Sequence, residues 1–273
     1  MATAPPADAL EAATCFRCGD PGRLEFTARP FGVRRCPDCD IVFISPRLDL
    51  DGRGALYDDA GYFEGSVYSG AGDDDEGGLA TFWQRRWASG RLDTLARYRG
   101  QPVDTADGRL LEVGCAYGLF AARALARGWD VAAMDVSAAG VAATSARLGI
   151  DVHHGLLDDA PFAPSSFDVV AAWDVLEHVP DPGVFLARVH DLLVPGGTVA
   201  LSLPNVASLP ARSLRTRWWT LRPDEHIWHF SPETLAATLA DAGFTRIALT
   251  TSPLTAGNLG RLDSMLAMAT RPA

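Results

Sequence analysis

Apolar residues recur along the chain in two alternating patterns that predict an α/β fold. Short apolar runs, which are typical of buried strands, fall at 110–113, 130–134, 151–153, 168–172, 198–203 and 246–250. Segments with helical spacing of apolar residues fall at 79–98, 119–127, 138–148, 183–193 and 232–242. Such alternation predicts a mostly parallel sheet with helices on both faces, and ligands of these sheets bind beyond the carboxyl ends of the strands. Residues 258–268 fit either a last strand or a helix.

The local composition of the chain divides it into four regions. Residues 1–14 are rich in Ala and Pro, and we expect a disordered tail there. Residues 15–45 carry four of the five cysteines. Residues 46–100 are read as a linker and lid that ends in the helix at 79–98, and residues 101–273 as the α/β domain.

The cysteines form two tight pairs, Cys15-x-x-Cys18 and Cys36-x-x-Cys39. This spacing is typical of structural zinc sites, in which four thiolates surround the ion and leave no open position for a substrate. We therefore expect a small zinc ribbon over 15–45. Free cysteines, an iron–sulfur cluster or a redox pair remain alternatives.

A glycine turn follows the first strand of the α/β domain. Glu112 precedes Gly114 by two residues, and Gly118 completes a Gly-x-x-x-Gly turn at the start of a helix. The dinucleotide fingerprint has a different glycine spacing, and a carboxylate so close repels a pyrophosphate while it attracts a cation. Asp135 ends the next strand, where an acid accepts hydrogen bonds from ribose hydroxyls. The pattern favours an adenosine ligand whose far end is positive.

Four further motifs follow this turn in order, at 155–162, 166–170, 173–179 and 193–197. With the glycine turn and Asp135 they resemble the motifs of class I S-adenosylmethionine-dependent methyltransferases, over about 109–250. The resemblance implies a Rossmann-like fold, S-adenosylmethionine as cofactor and a methyl-transfer reaction.

The resemblance also implies roles for individual residues. The methionine end of the cofactor is lined by Glu112, Gly114, Ala116, Tyr117 and Gly118. Asp135 holds the ribose. The adenine is flanked by Val136, Leu156 and Leu157, and Trp173 stands beside the methionine moiety.

The N-terminal region resembles a subset of the same family. A four-cysteine ribbon followed by Ile41–Arg47 is similar to bacterial methyltransferases that carry a zinc ribbon ahead of the catalytic domain. Those relatives serve natural-product or surface-sugar pathways and differ in their acceptors. The resemblance therefore indicates the methyl donor more than the acceptor.

Composition narrows the choice of a general base. The chain has 24 basic and 34 acidic residues, and all the basic ones are arginine. The absence of lysine excludes a P-loop lysine, a Schiff-base lysine and a lysine general base. A hydroxyl acceptor needs a base, and the candidates are His178, His226 and His229. Glu225 with His226 and His229 is an alternative second metal site.

The net charge of −10 disfavours nucleic acid as a partner, because phosphate binding requires a basic face. No apolar run is long enough to span a membrane, and the first residues lack the pattern of a signal peptide, so we expect a cytoplasmic protein. The favoured function is methyl transfer to a small-molecule hydroxyl in secondary or sugar metabolism. Alternatives are C- or N-methylation of a small molecule, rRNA methylation, a nicotinamide oxidoreductase and a non-catalytic interaction protein. The sequence leaves the oligomeric state open.

Overall fold

The computed structural model describes residues 9–50, 52–53, 79–103, 106, 108–252 and 262–273. Most of the linker expected between the cysteines and the helix at 79–98, namely residues 54–78, lies outside these ranges, as do residues 1–8 of the expected tail. Five short strands lie in the N-terminal region: β1 Leu10–Glu11, β2 Arg23–Ala28, β3 Phe31–Arg35, β4 Val42–Ile44 and β5 Arg47–Leu48.

The rest of the chain alternates between helices and strands as the sequence predicts. The helices are α1 Leu79–Arg99, α2 Leu119–Ala126, α3 Ala138–Leu148, α4 Pro182–Leu192, α5 Leu209–Leu214 and α6 Pro232–Asp241. The strands are β6 Arg109–Val113, β7 Asp130–Asp135, β8 Val152–His154, β9 Phe167–Trp173, β10 Leu193–Pro204, β11 Trp228–His229, β12 Thr245–Thr250 and β13 Ser264–Thr270.

Seven strands form the central sheet in the order β12-β13-β10-β9-β6-β7-β8. The pairs from β10 through β9, β6 and β7 to β8 are parallel, whereas β13 runs antiparallel to both β10 and β12. This Rossmann-like arrangement confirms the predicted fold class. Helices cover both faces, with α1 and α2 packed on one face and α4 and α6 on the other.

Strand β13 includes residues 264–268 of the segment that the sequence left open, whereas residues 258–261 lie outside the described ranges. All seven of its residues are buried, so no alternation of polar and apolar residues marks it as a strand. Its Leu, Met and Ala residues favour helices in isolation. Pairing with β10 along its whole length and with β12 overrides that preference.

Helix boundaries follow local capping chemistry. The Ser137 side chain accepts the Gly140 N–H at the start of α3, and Gly149 ends the helix in the left-handed region at φ 65°. Ser231 and Thr234 form a reciprocal cap at the start of α6, and Pro232 occupies its first position. Within the ranges that the structure describes, none of the helices has the length and apolarity needed to cross a bilayer.

The cysteine-bearing region forms a sheet together with a strand from the α/β part. The order is β11-β4-β3-β2, all antiparallel, and Trp228 of β11 pairs with Phe43 of β4. The structure therefore joins the two regions by main-chain hydrogen bonds. Residues 9–14 differ from the expected disordered tail, because β1 pairs with β5 and the Ala13 N–H donates to the Ser45 hydroxyl at 2.9 Å.

Trp228 is the central side chain of this junction. It is buried, its ring centroid lies 5.0 Å from that of Phe16 and 5.9 Å from that of Phe43, and its indole N–H donates to the Val179 carbonyl at 2.9 Å. One side chain thus contacts the cysteine region and the segment that follows β9.

We expect Trp228→Ala to lower the free energy of unfolding by about 3–5 kcal/mol, because it leaves a large cavity and an unpaired carbonyl. Urea denaturation measures this loss. Trp219→Ala is the matched control, since Trp219 is 54% exposed, and it should change the unfolding free energy by less than about 1 kcal/mol. Equal effects of the two substitutions would contradict the central position of Trp228.

Candidate donor site and histidine cluster

The switch point of the central sheet lies beside β6. From β6 the chain adds β7 and β8 on one side and β9 on the other. The loops after Val113 and Trp173 therefore diverge and leave a crevice, where α/β sheets bind their ligands.

The glycine turn after β6 requires its glycines. Gly114 and Gly118 have φ of 73° and 70°. A Cβ atom on Gly114 would lie 2.6 Å from the side chain of Val175, and one on Gly118 would lie 2.7 Å from that of Thr144. The Gly114 N–H donates to the Met134 carbonyl at 2.9 Å, which ties the turn to β7.

Asp135 fixes the same turn from the end of β7. Its two carboxylate oxygens accept the Ala116 N–H at 2.7 Å and the Ser137 N–H at 2.8 Å. Burial raises the pKa of this carboxyl, and the backbone hydrogen bonds oppose the shift. Each oxygen has a further lone pair, so the carboxylate retains acceptor capacity for ribose hydroxyls.

Glu112 is buried beneath the turn and accepts the Ala121 N–H at 2.9 Å, in the first turn of α2. Burial raises its pKa well above the ordinary value, and the charge of Arg91 partly offsets this. The guanidinium carbon of Arg91 lies 3.9 Å from the ring centroid of Trp87 and 4.4 Å from that of Trp173.

Sequence reasoning missed Arg91, a fully buried cation below the expected methionine end. The available signal was its position within the apolar face of α1, four residues after Trp87. A charged residue in such a face needs a buried partner or an aromatic cover.

The remaining residues expected at the cofactor lie around the crevice. Val136 and Leu156 are partly exposed at its rim, and Leu157 is buried. The Gly155 N–H donates to the Asp135 carbonyl at 3.0 Å and so holds the loop after β8 against the end of β7. Trp173 is buried with its ring edge-on to Phe120, at a centroid distance of 5.0 Å.

These features fit an adenosine ligand with a cationic end. The glycine turn packs closely on Val175 and Thr144, Asp135 offers acceptors for a ribose, and Glu112 places a carboxyl under the turn. Tyr117 follows Ala116 in the turn, and its carbonyl accepts the Arg147 guanidinium at 3.0 Å.

Two of the three candidate histidines meet beyond the carboxyl end of β9. The ring centroids of His178 and His226 are 4.7 Å apart. His178 Nδ1 lies 3.2 Å from the Glu225 carbonyl oxygen, and His226 Nδ1 lies 2.7 Å from that of Thr220. Since a carbonyl only accepts hydrogen bonds, both rings carry their proton on Nδ1 and present an Nε2 lone pair.

Burial keeps these imidazoles neutral. It lowers the pKa of His178 well below the ordinary value and that of His226 to about 4. Each ring is therefore in its neutral form at neutral pH. The backbone N–H of His178 donates to the Val175 carbonyl, and Val175 contacts Gly114, so this cluster adjoins the glycine turn.

His229 lies apart from His178. Its ring centroid is 6.4 Å from that of His226 and 5.8 Å from that of Trp218, on strand β11. Among the described residues, neither ring nitrogen has a hydrogen-bond partner, and burial lowers the pKa to about 3.

The alternative second metal site of Glu225, His226 and His229 does not form as a group. Among the described residues, the histidine-containing set whose ligand atoms lie within 4.8 Å of one another is Glu177, His178 and His226. The Glu225 carboxylate instead pairs with Arg222.

The four-stranded sheet β11-β4-β3-β2 is called the ribbon sheet below. The four paired cysteines come together at one end of it. Their sulfur atoms lie within 4.8 Å of one another, and those of Cys18 and Cys36 are 3.4 Å apart. A tetrahedral ion with bonds of about 2.3 Å would hold sulfurs about 3.8 Å apart. Both pairs close as tight turns, with Gly19 and Asp40 in the left-handed region.

Thiol chemistry at the cluster also fits a cation. Burial raises the pKa of Cys15 to about 11 and raises that of Cys39, whereas a backbone hydrogen bond lowers the pKa of Cys18. A full set of thiolates at neutral pH therefore requires a bound positive ion.

Residues 79–249 match the family model described as a methyltransferase domain. The chain therefore belongs to this family, and its α/β part is a methyltransferase domain of the S-adenosylmethionine-dependent class. This confirms the family predicted from the motifs.

Three proteins illustrate what the chain is similar to. It is 33% identical over 150 residues to a ubiquinone biosynthesis O-methyltransferase of Nitrobacter winogradskyi, covering 48% of this chain and 57% of that protein. An S-adenosylmethionine-dependent methyltransferase structure from Mesorhizobium loti has a TM-score of 0.53 and 22% identity, covering 67% of this chain and 100% of that one. Phosphoethanolamine N-methyltransferase 2 of Haemonchus contortus, in complex with S-adenosyl-L-methionine, has a TM-score of 0.56 and 16% identity, covering 85% and 63%.

The chain spans about half the length of the curated relatives it matches. At these identities the structural similarities show the fold alone. The names of the relatives include both O- and N-methyltransferases, so these names do not determine the acceptor atom of this chain.

We expect Asp135→Asn to weaken S-adenosylmethionine binding at least tenfold. An amide has one acceptor oxygen in place of two, and its NH₂ group opposes the N–H of Ala116 or Ser137. Isothermal titration calorimetry of the full chain measures the affinity, with NAD as a ligand that should give no binding. Asp130→Asn, an exposed change on the same strand, is the control and should leave the affinity within twofold. Unaltered affinity in Asp135→Asn would overturn this assignment.

Proposed function

We propose that the protein is an S-adenosylmethionine-dependent methyltransferase that methylates a hydroxyl group of a small molecule in secondary or sugar metabolism. One observation carries the choice of a hydroxyl. His178 and His226 each donate Nδ1–H to a backbone carbonyl, and their rings lie together after β9, where Val175 contacts Gly114 of the glycine turn. A hydroxyl acceptor must lose a proton, and these groups are placed to take it.

One group of residues holds the methyl donor, and the histidines remove the proton of the acceptor. The bound cofactor supplies a methyl group that its sulfonium already activates. The glycine turn, Glu112 and Asp135 hold the donor, and positioning of this kind contributes roughly 7–11 kcal/mol in favourable cases. Nε2 of His178 or His226 would take the proton of the acceptor hydroxyl, while S-adenosylmethionine bound by these residues would supply the methyl group and leave as S-adenosylhomocysteine.

Two lines of support bear on the acceptor. The curated relatives named as ubiquinone biosynthesis O-methyltransferases act, by name, at oxygen. The excess of 34 acidic over 24 basic residues opposes a nucleic-acid substrate. We therefore favour a small-molecule acceptor over ribosomal RNA.

We also propose that the four-cysteine cluster binds one structural zinc ion. Four sulfur ligands at this separation favour tetrahedral zinc, and all-thiolate sites leave no open position for chemistry. The bound ion would stabilise the β2–β4 region, whose core is small, and through β11 the segment that carries His226.

We expect His178→Gln or His226→Gln to lower kcat by about 10²–10⁴ for the residue that acts as base, while S-adenosylmethionine affinity is unchanged. Formation of S-adenosylhomocysteine is followed with a panel of phenols, catechols and hydroxylated sugars. His190→Gln on α4 is the control, because its ring packs on Phe244 away from the crevice.

The pH profile of the same assay gives a second readout. A base must be neutral to accept a proton, and burial lowers the pKa of His226 to about 4. A rate that depends on His226 should therefore stay level as the pH falls from 8 to 6 and decline only as it approaches 4. Full activity in both glutamine variants would exclude a histidine base, and failure to bind S-adenosylmethionine would overturn the proposed function.

We expect about one zinc ion per chain, and loss of that zinc with lower thermal stability in Cys36→Ser. Inductively coupled plasma mass spectrometry measures the metal and calorimetry measures Tm. Cys115→Ser is the matched control, because Cys115 is also buried but lies in the glycine turn, and it should keep its zinc. A protein that contains iron in place of zinc would contradict the metal assignment.

A further inference from the structure

A cleft of about 240 Å³ lies between the ribbon sheet and residues 206–221. One wall is the face of the four-stranded sheet, to which Phe26 of β2 and His229 of β11 contribute. The other wall comes from the segment after β10 and includes Arg212, Arg215 and Trp218. We call this space the ribbon cleft.

The rim of the ribbon cleft has an excess of positive charge. Its one carboxylate, Glu25, is 2.6 Å from Arg35, which also pairs with Asp40 at 2.8 Å. Arg212 and Arg215 have no carboxylate partner within the part of the chain that the structure describes. Two guanidinium groups at one rim suit a carboxylate or a phosphate, whose oxygens they bind in pairs.

One aromatic ring, Phe26, stands below Arg215, and a second, Trp218, lines the cleft. The guanidinium carbon of Arg215 lies 4.8 Å from the ring centroid of Phe26, and the Arg215 side chain also donates to the Glu25 carbonyl at 3.3 Å. Trp218 is held by its indole N–H, which donates to the Asp263 carboxylate at 2.7 Å. Two rings in fixed positions offer stacking surfaces to a planar ligand.

The floor contains a polar group that nothing in the described chain satisfies. His229 is 2% exposed, and neither of its ring nitrogens has a hydrogen-bond partner among the described residues. A buried polar group without a partner is unfavourable, and a ligand hydroxyl or oxyanion would satisfy it.

Backbone strain occurs at the same place. Arg215 is not a glycine, yet it adopts φ 49° and ψ −111° at the end of α5. Conformations of this kind persist where the surroundings hold them, often at binding sites. The guanidinium of the same residue lies over Phe26 at the rim.

We propose that the ribbon cleft binds a planar small molecule that carries a carboxylate or a phosphate. The arginines bind the anionic group, Phe26 and Trp218 face the ring, and His229 bonds to a polar atom at the floor. The residues that line the ribbon cleft differ from those of the donor crevice, and anion binding there is measurable whether or not the proposed acceptor is correct. The ligand is either the acidic part of the acceptor or a second molecule.

Binding of benzoate and phenyl phosphate to the full chain tests the proposal, by calorimetry at low salt, with benzyl alcohol as the neutral analogue. We expect both anions to bind at one site and at least tenfold more tightly than benzyl alcohol. Arg212→Gln combined with Arg215→Gln should weaken anion binding at least tenfold. Arg217→Gln is the matched control, because Arg217 is exposed in the same segment but does not line the cleft, and it should stay within twofold.

The side chains of Arg212 and Arg215 are exposed, so these variants should fold, and unchanged S-adenosylmethionine affinity verifies this. Absence of anion binding, or equal binding in the double variant and the wild type, would overturn the proposal. Such a failure leaves donor binding intact and is thus distinct from a failure of the proposed function.

Paired hydroxylated probes identify the source of the ligand once anions bind. If the anion belongs to the acceptor, the double variant should raise KM for 3,4-dihydroxybenzoate but not for 3,4-dihydroxybenzamide, with kcat unchanged. If phenyl phosphate binds without competing with turnover of either compound, the cleft holds a second molecule. Both results require that the anion binds in the ribbon cleft.

Discussion

The main-chain pairing of β11 with β4 is the constraint on which the acceptor side of this protein depends. The pair is only two residues long, yet it joins a sheet built around the cysteine cluster to a segment of the methyltransferase domain. The carbonyl of Glu177, after β9, accepts the N–H groups of Ile227 and Trp228 and so connects the same segment to the crevice. The positions of His226 and His229 follow from these bonds.

Burial sets the chemistry of the site. In a low-dielectric interior the charged forms of imidazoles and carboxyls are disfavoured, so the histidines are neutral and the pKa of Glu112 is raised. Arg91 opposes this effect at Glu112, and its own charge is covered by two tryptophan rings. A cationic ligand placed above Glu112 would favour ionisation of this carboxyl. Binding of the donor and the ionisation of Glu112 are therefore coupled.

Much of the domain was predictable from the sequence, because parallel strands and their helices obey local rules. The glycine turn, Asp135 and the helix limits near Ser137 and Ser231 depend on backbone geometry and capping, which short stretches encode. Strand β13 was not predictable in this way, since its residues are buried on both faces and favour helices in isolation.

The contacts between segments that are distant in the chain could also not be predicted from the sequence. Nothing in the local pattern of Trp228 and His229 indicates that they extend the ribbon sheet, or that His229 lies beside Trp218 while His226 contacts His178. Arg91 was missed because a single cation within an apolar helix face reveals its role only when Glu112 and Trp173 are seen beside it. Such features arise from tertiary packing.

The shared sheet has a consequence for how this protein loses its fold. Because β11 belongs to both regions, the cysteine region cannot open alone without exposing Trp228 and releasing the Val179 carbonyl next to the crevice. The two regions should therefore melt as one cooperative unit rather than as two modules. Under the proposed zinc assignment, removal of the ion would then disturb the positions of the histidines as well, which would link metal supply to the geometry of this site.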